Sequence, residues 1–260
     1  MKPDLCITAA YGQYLPKRFL AAPTYGTVNV HPSLLPRWRG ASPVQRSLEA
    51  GDQPVGVTVL FTVSKMDAGP IIAQKEEYVD ENETATYLLP HLFSIGTQCL
   101  LEAIPGLLSG EITMDTATQQ DENNVVNADM ISPAEAELCV WKMSARECHN
   151  RLRGFSMWPG VFIYVQISDE ESTGEPFKVK LLETKVLSDI AEEPTDVMTI
   201  GPGKKDGLRL VCGDGSVLEI LRCQPAGKKG MDAKSFVNGY PQKTLRWVKP
   251  ERGEEASSSS

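Results

Sequence analysis

Short apolar runs separated by turn residues fill the first hundred positions. Residues 5–10 (LCITAA) form a brief apolar run suited to a buried strand, and 26–33 (GTVNVHPS) alternates in the period of two that a β-strand requires. Residues 54–63 (PVGVTVLFTV) are a dense β-branched run, followed by a turn at 64–70 and another strand in IIAQKEEYV. Between these strands the pattern predicts helices. Residues 11–20 turn into a short one, and a second has Ser42 at its N-cap, Pro43 at its first position and Gly51 at its end. Positions 84–108 are helical in period, with Pro90 expected to mark a start or a kink. Strands that are apolar throughout and interleaved with helices imply an α/β class, a partial doubly wound, mostly parallel sheet.

The second half reads differently. Residues 111–132 are polar and predict a linker, and 144–155 form an amphipathic helix. Beyond 157–160 (MWPG) come VFIYVQI, KVKLLETKVL, VMTIGP, LRLVCG and SVLEILRC, the last two flanking a hairpin signal at Asp214-Gly215. Five such strands without intervening helices predict a small β-barrel of the oligonucleotide-binding type, with a generic β-sandwich as the alternative. The domain expectation is therefore a catalytic unit at 1–110, a linker at 111–132, a barrel at 133–250 and a disordered serine-rich tail at 251–260.

Composition narrows the class. Hydrophobic residues at 41% and charged residues at 23% describe an ordinary globular chain, with no apolar run expected to span a bilayer and no targeting peptide at the start. Six cysteines are scattered singly, which argues against a zinc site or a disulfide framework and for a reducing compartment. A net charge of −8 counts against a nucleic-acid partner until its distribution is examined. Residues 201–250 carry ten Lys or Arg against four Asp or Glu, a local +6, while residues 1–200 carry −12. A basic C-terminal module on an acidic body suggests a polyanion partner; the alternative is a solvated face with no partner.

The chemistry concentrates in 29–40, NVHPSLLPRWRG. Asn29 and His31 are two apart, so in an extended chain they share a face. Acyl or formyl transfer to an amine needs a donor for a developing oxyanion and a base for the amine proton, which a carboxamide and an imidazole supply. Asp67, in the turn after the next long strand, is expected to meet them where both strands end, at the sheet's C-terminal edge. From chemistry alone this N-x-H with a remote Asp is a weak signal, and a structural histidine is the alternative.

AYGQYLP (10–16), NVHPSLLPRWRGASPVQR (29–46), GVTVLFTVSKMDAGPI (56–71), FSMWPG (155–160) and QPAGKKGM (224–231) follow in the order found in methionyl-tRNA formyltransferases, which this chain resembles to about residue 250. The resemblance implies that Asn29, His31 and Asp67 are the catalytic trio and that 10-formyltetrahydrofolate is the co-substrate, with no metal. It implies a folate site around Ser33, Leu34, Leu35 and Pro36, walled by AYGQYLP and the Asp67 turn. Initiator methionyl-tRNA is the implied partner of a monomer that binds no membrane. Lys228 and Lys229 are candidates for its backbone. Arg37 and Arg39 meet phosphates, meet the substrate's carboxylate end, or cap the turn in solvent.

The chain departs from the family pattern in three places. It reads Met66-Asp67-Ala68-Gly69 where the family has L-D-T-G, and NADMISPAEAEL in a linker that is commonly lysine-bearing. It also starts at what corresponds to the fourth strand, so roughly three strand–helix units are expected upstream, and activity of the chain as written is expected to suffer. A formyltransferase acting on another amine and a non-catalytic RNA-binding remnant are the alternative functions. The compartment is expected to be a mitochondrion or other organelle in a eukaryote and the cytoplasm in a bacterium.

Overall fold

The computed structural model describes residues 3–169, 171–203 and 206–249; the tail expected to be disordered lies outside them. The chain forms two compact units, 1–132 and 133–260.

In the first unit, β1 (Cys6–Ala9) is followed by the single helical turn α1 (Lys17–Leu20), β2 (Thr27–His31), β3 (Arg37–Gly40) and α2 (Pro43–Ala50). Then come β4 (Val55–Phe61), β5 (Ile71–Glu77), the long helix α3 (Ala85–Ser109) and β6 (Val126–Ala128). α2 has Ser42 at its N-cap, Pro43 at its first position and Gly51 in the left-handed conformation at its end.

The main sheet has the order β1-β2-β4-β5. Only β1 and β2 are parallel; β2–β4 and β4–β5 are antiparallel, so the sheet described is mixed rather than mostly parallel. The apolar run of β4 does reflect full burial, because all seven of its residues are buried. Burial on both faces, however, does not fix strand direction, and the short 62–70 connection to β5 permits only an antiparallel return.

α3 explains the burial. Ala85, Leu88, Leu92, Gly96, Leu100, Ala103 and Leu107 recur at three- and four-residue intervals and form its buried stripe. That stripe packs on Val28 and Val30 of β2 and on Val55, Val57, Val59 and Phe61 of β4, each large side chain contributing about 1.5–3 kcal/mol. α3 is long and apolar enough, by length and composition, to cross a membrane; here the stripe covers the sheet. It also runs through Pro90 and Pro105 without ending. The tertiary contacts of its leucines outweigh the backbone bonds those prolines remove.

The polar segment read as a linker belongs to the first unit. β6 pairs in parallel with β3, and Thr118 bridges Ile71.

The second unit begins with α4 (Ala145–Gly154), opened by a Ser144/Glu147 capping box. It continues with β7 (Val161–Ser168), β8 (Phe177–Ala191), β9 (Val197–Ile200), β10 (Leu208–Val211), β11 (Ser216–Pro225), β12 (Met231–Asp232), α5 (Ala233–Asn238) and β13 (Thr244–Val248). Antiparallel pairings run β7-β8-β11-β10-β9-β13 and back to β7, a closed six-stranded barrel with β12 appended to β11. The β10–β11 hairpin turns at Asp214-Gly215, where Gly215 has φ +83°. The barrel has one strand more than expected, because β13 supplies the closing strand from the short segment TLRWV, in which only Leu245 is buried.

Candidate active site

Val28 and Val30 turn one face of β2 into the core, so Asn29 and His31 stand on the opposite face. The single hydrogen of the Thr8 hydroxyl on β1 is shared between Asn29 Oδ1 at 2.9 Å and the Val28 carbonyl oxygen at 3.2 Å. The Asn29 NH2 group has no hydrogen-bond partner among the described residues and remains available as a donor.

His31 is buried, and its Nε2 lies 2.8 Å from the Trp38 carbonyl oxygen. A carbonyl can only accept, so Nε2 carries the hydrogen and the neutral ring presents its lone pair at Nδ1. Nδ1 faces Asp67 Oδ2 at 3.7 Å. The same Asp67 oxygen accepts from the Gly40 amide at 3.0 Å.

Asp67 does not reach His31 in the way the strand order suggested. β4 runs antiparallel to β2, so its end at Phe61 lies beside Val28 while His31 lies beside Thr58. The 62–70 loop folds back across the sheet instead. It is pinned at its ends, where the Thr62 amide donates to the Thr27 carbonyl and the Phe61 amide to Pro70. Asp67 adopts φ +47°, a conformation uncommon outside glycine, though Asp accepts it more readily than most residues. Gly69 makes the fold-back possible, since a Cβ there would lie 1.7 Å from the Phe61 carbonyl oxygen. Gly69→Ala therefore displaces the loop. It is expected to lower turnover about 10- to 100-fold and stability by about 1–3 kcal/mol, read in an activity assay beside a thermal melt.

A formyl transferase family model matches residues 1–104, and the C-terminal domain model of formyl transferases matches residues 130–241. The methionyl-tRNA formyltransferase of Methylococcus capsulatus is 35% identical over 244 residues, 92% of this chain and 72% of that protein. The chain belongs to the methionyl-tRNA formyltransferase family. Its relative from Lactobacillus johnsonii is 37% identical over 239 residues, 92% of this chain and 71% of that protein. Among solved structures, HypX from Aquifex aeolicus in complex with tetrahydrofolic acid has a TM-score of 0.62 at 16% identity, covering 91% of this chain and 38% of its own. WlaRD, a sugar 3N-formyl transferase solved with dTDP and 5-N-formyl-THF, has a TM-score of 0.60 at 16% identity, covering 86% of this chain and 73% of its own. At that identity both show a shared fold.

In this methionyl-tRNA formyltransferase-family chain the Ser33–Pro36 turn spends most of its polar groups internally. Thr58 Oγ1 donates to the Ser33 carbonyl at 2.6 Å and accepts from the Leu35 amide, while Gln74 donates to the Leu35 carbonyl at 2.7 Å. Ser33 and Leu35 are buried, Leu34 and Pro36 half-buried. Ser33 and Leu34 line an open crevice with Arg37, Trp38, Asp52 and Gly56.

The candidate cations divide sharply. Arg37 is exposed and holds both Asp52 carboxylate oxygens, at 3.0 and 3.1 Å. Arg39 is buried and bonded to Gln120 and Glu122, so it is no surface contact for an RNA phosphate. Regular alternation would put the two arginines on one face; Trp38, at φ +65°, interrupts the β3–β6 register between them, and only Arg39 is turned inward. Lys228 and Lys229 are exposed in the turn between β11 and β12, with Lys228 Nζ 5.7 Å from the Tyr240 ring centroid. Gln120, which sequence reasoning passed over, donates from one Nε2 to the carbonyls of Asp67 and Gly69, each at 2.8 Å.

Proposed function

We propose that this chain transfers the formyl group of 10-formyltetrahydrofolate to the α-amine of methionyl-tRNA, the aminoacyl-tRNA of translation initiation. One observation carries the mechanism. A free carboxamide donor and a buried imidazole occupy one face of β2, with a carboxylate 3.7 Å from the imidazole.

Each residue then has a distinct task. Asn29 donates from Nδ2 to the oxyanion that develops as the amine nitrogen bonds to the formyl carbon. His31 takes the amine proton at Nδ1, the nitrogen left basic by the Trp38 contact, and delivers it to the folate nitrogen as the old carbon–nitrogen bond breaks. Asp67 stabilises the imidazolium in between. Folate supplies the activated formyl group when bound.

The crevice itself is small and lined by none of Asn29, His31 and Asp67, so the folate is placed against the side chains around it. Leu34, Pro36 and Trp38 offer apolar surface beside the crevice. Parallel pairing of β1 with β2 sets the 10–16 segment, with exposed Tyr11 and Tyr14, beyond the same strand end as His31. For tRNA, the closed barrel supports a reading as an oligonucleotide-binding type, with Lys228 and Lys229 on the phosphate backbone.

The test is formylation of methionyl-tRNA by the purified chain with 10-formyltetrahydrofolate. Formylmethionyl-tRNA is the expected product, with KM for the tRNA rising steeply between about 50 and 200 mM salt. Absence of product, or a tRNA KM indifferent to salt, counts against the catalytic or the electrostatic half of the proposal respectively.

A further inference from the structure

Asp67 is held in place from a distant part of the chain. Gln120 Oε1 accepts from Arg39 Nε at 3.0 Å and from Nη2 at 2.8 Å. Arginine only donates, so this pairing fixes the amide orientation and turns the Gln120 NH2 group toward the 62–70 loop. Both of its hydrogens are used there, on the Asp67 and Gly69 carbonyls. Arg39 also donates to Glu122 Oε1 at 2.9 Å, and Lys65, in the same loop, donates to Glu122 Oε2 at 2.6 Å. These two cations hold the Glu122 carboxyl down at about 2, so it stays ionised at neutral pH.

The loop is thus fastened at Lys65, Asp67 and Gly69 to one short segment, 120–122. The middle fastening matters most. A non-glycine residue at positive φ persists only where its surroundings over-determine it. Gln120 binds the carbonyl of that very residue, while the Asp67 carboxylate is shared between the Gly40 amide and the face of His31.

We infer that Gln120 is a positioning residue for formyl transfer, clamping the Asp67 loop so that its carboxylate stays on the Gly40 amide and against His31 Nδ1. The inference rests on the reading of His31 and Asp67 as catalytic groups. Gln120 touches neither substrate nor reacting atoms; it acts through the loop.

Two variants of the full chain separate this role from simple scaffolding. Gln120→Glu keeps an acceptor for Arg39 and nearly the same shape, but sets carboxylate oxygen against two carbonyl oxygens. Gln120→Ala removes both sides of the clamp. Both are expected to lower kcat about 10- to 100-fold with KM for methionyl-tRNA and 10-formyltetrahydrofolate within about twofold. Amide hydrogen exchange at Gly40, whose N–H is closed by Asp67, is expected to speed up in both. Full kcat in Gln120→Glu would overturn the inference, because pairing with Arg39 would then be the whole role. Unchanged Gly40 exchange would overturn it equally. Should the unsubstituted chain form no formylmethionyl-tRNA, the functional reading fails, and Gly40 exchange alone decides whether Gln120 positions Asp67.

Discussion

With His31 replaced by alanine, formylation of methionyl-tRNA is expected to fall about 10²- to 10⁴-fold in kcat. Nδ1 of the imidazole is the nitrogen left free to take the amine proton. Alanine also strands the Trp38 carbonyl, so a stability loss of about 1–3 kcal/mol is expected beside the loss of turnover. His31→Gln separates the two effects: its amide can still donate to Trp38 but cannot accept the amine proton. If the base is what matters, the glutamine variant melts near the parent temperature and is as slow as the alanine variant. Turnover near the parent's in His31→Gln would remove proton transfer from this residue's task.

Loss of the Asn29 carboxamide is expected to be nearly as severe, about 10²- to 10³-fold in kcat for Asn29→Ala. The warrant is that Asn29 Oδ1 lies against the Thr8 hydroxyl while the NH2 group has no hydrogen-bond partner among the described residues. A donor held in advance costs no reorganisation when charge develops, so removing it raises the barrier without weakening ground-state binding. KM for both substrates is accordingly expected to stay within about threefold. Asn29→Asp, of the same shape, replaces the donor with an anion and is expected to be slower still. A rise in KM with kcat preserved would reassign Asn29 to substrate binding.

Much of this was legible in the chain. The alternation Val28-Asn29-Val30-His31 places two polar groups on one face of a strand, and the structure shows that face turned away from α3. The helix caps at Ser42, Pro43 and Gly51 and the hairpin at Asp214-Gly215 were equally readable, because each depends on residues a few positions apart. What escaped depends on long-range partners. Gln120 meets Arg39 across 81 positions and Asp67 across 53, from a polar stretch with no period of its own. Arg39 is indistinguishable from Arg37 in the sequence, because the register break at Trp38 that turns only one of them inward appears once β3 is paired with β6. The direction of β4 likewise follows from its neighbours rather than from its composition. The route of Asp67 to His31 had to be seen because it depends on that direction.

Gly96 of α3 sets a limit on how this protein can change. A Cβ there would lie 2.5 Å from Val30 Cγ1 and 2.6 Å from Val57 Cγ2, so the helix backbone presses directly on the strand that carries Asn29 and His31. Gly96 adds no side chain of its own, so only the short valine side chains of the strands lie between. Close-packed contacts of this kind transmit displacement rather than damp it. The two faces of β2 are therefore held in different ways. The rear face, against the helix, is almost frozen in size. The front face meets the 62–70 loop, which is held by directed hydrogen bonds from residues 120–122 instead of by packed carbon. A substitution behind β2 is therefore expected to move Asn29 and His31 together, whereas one in front moves Asp67 alone.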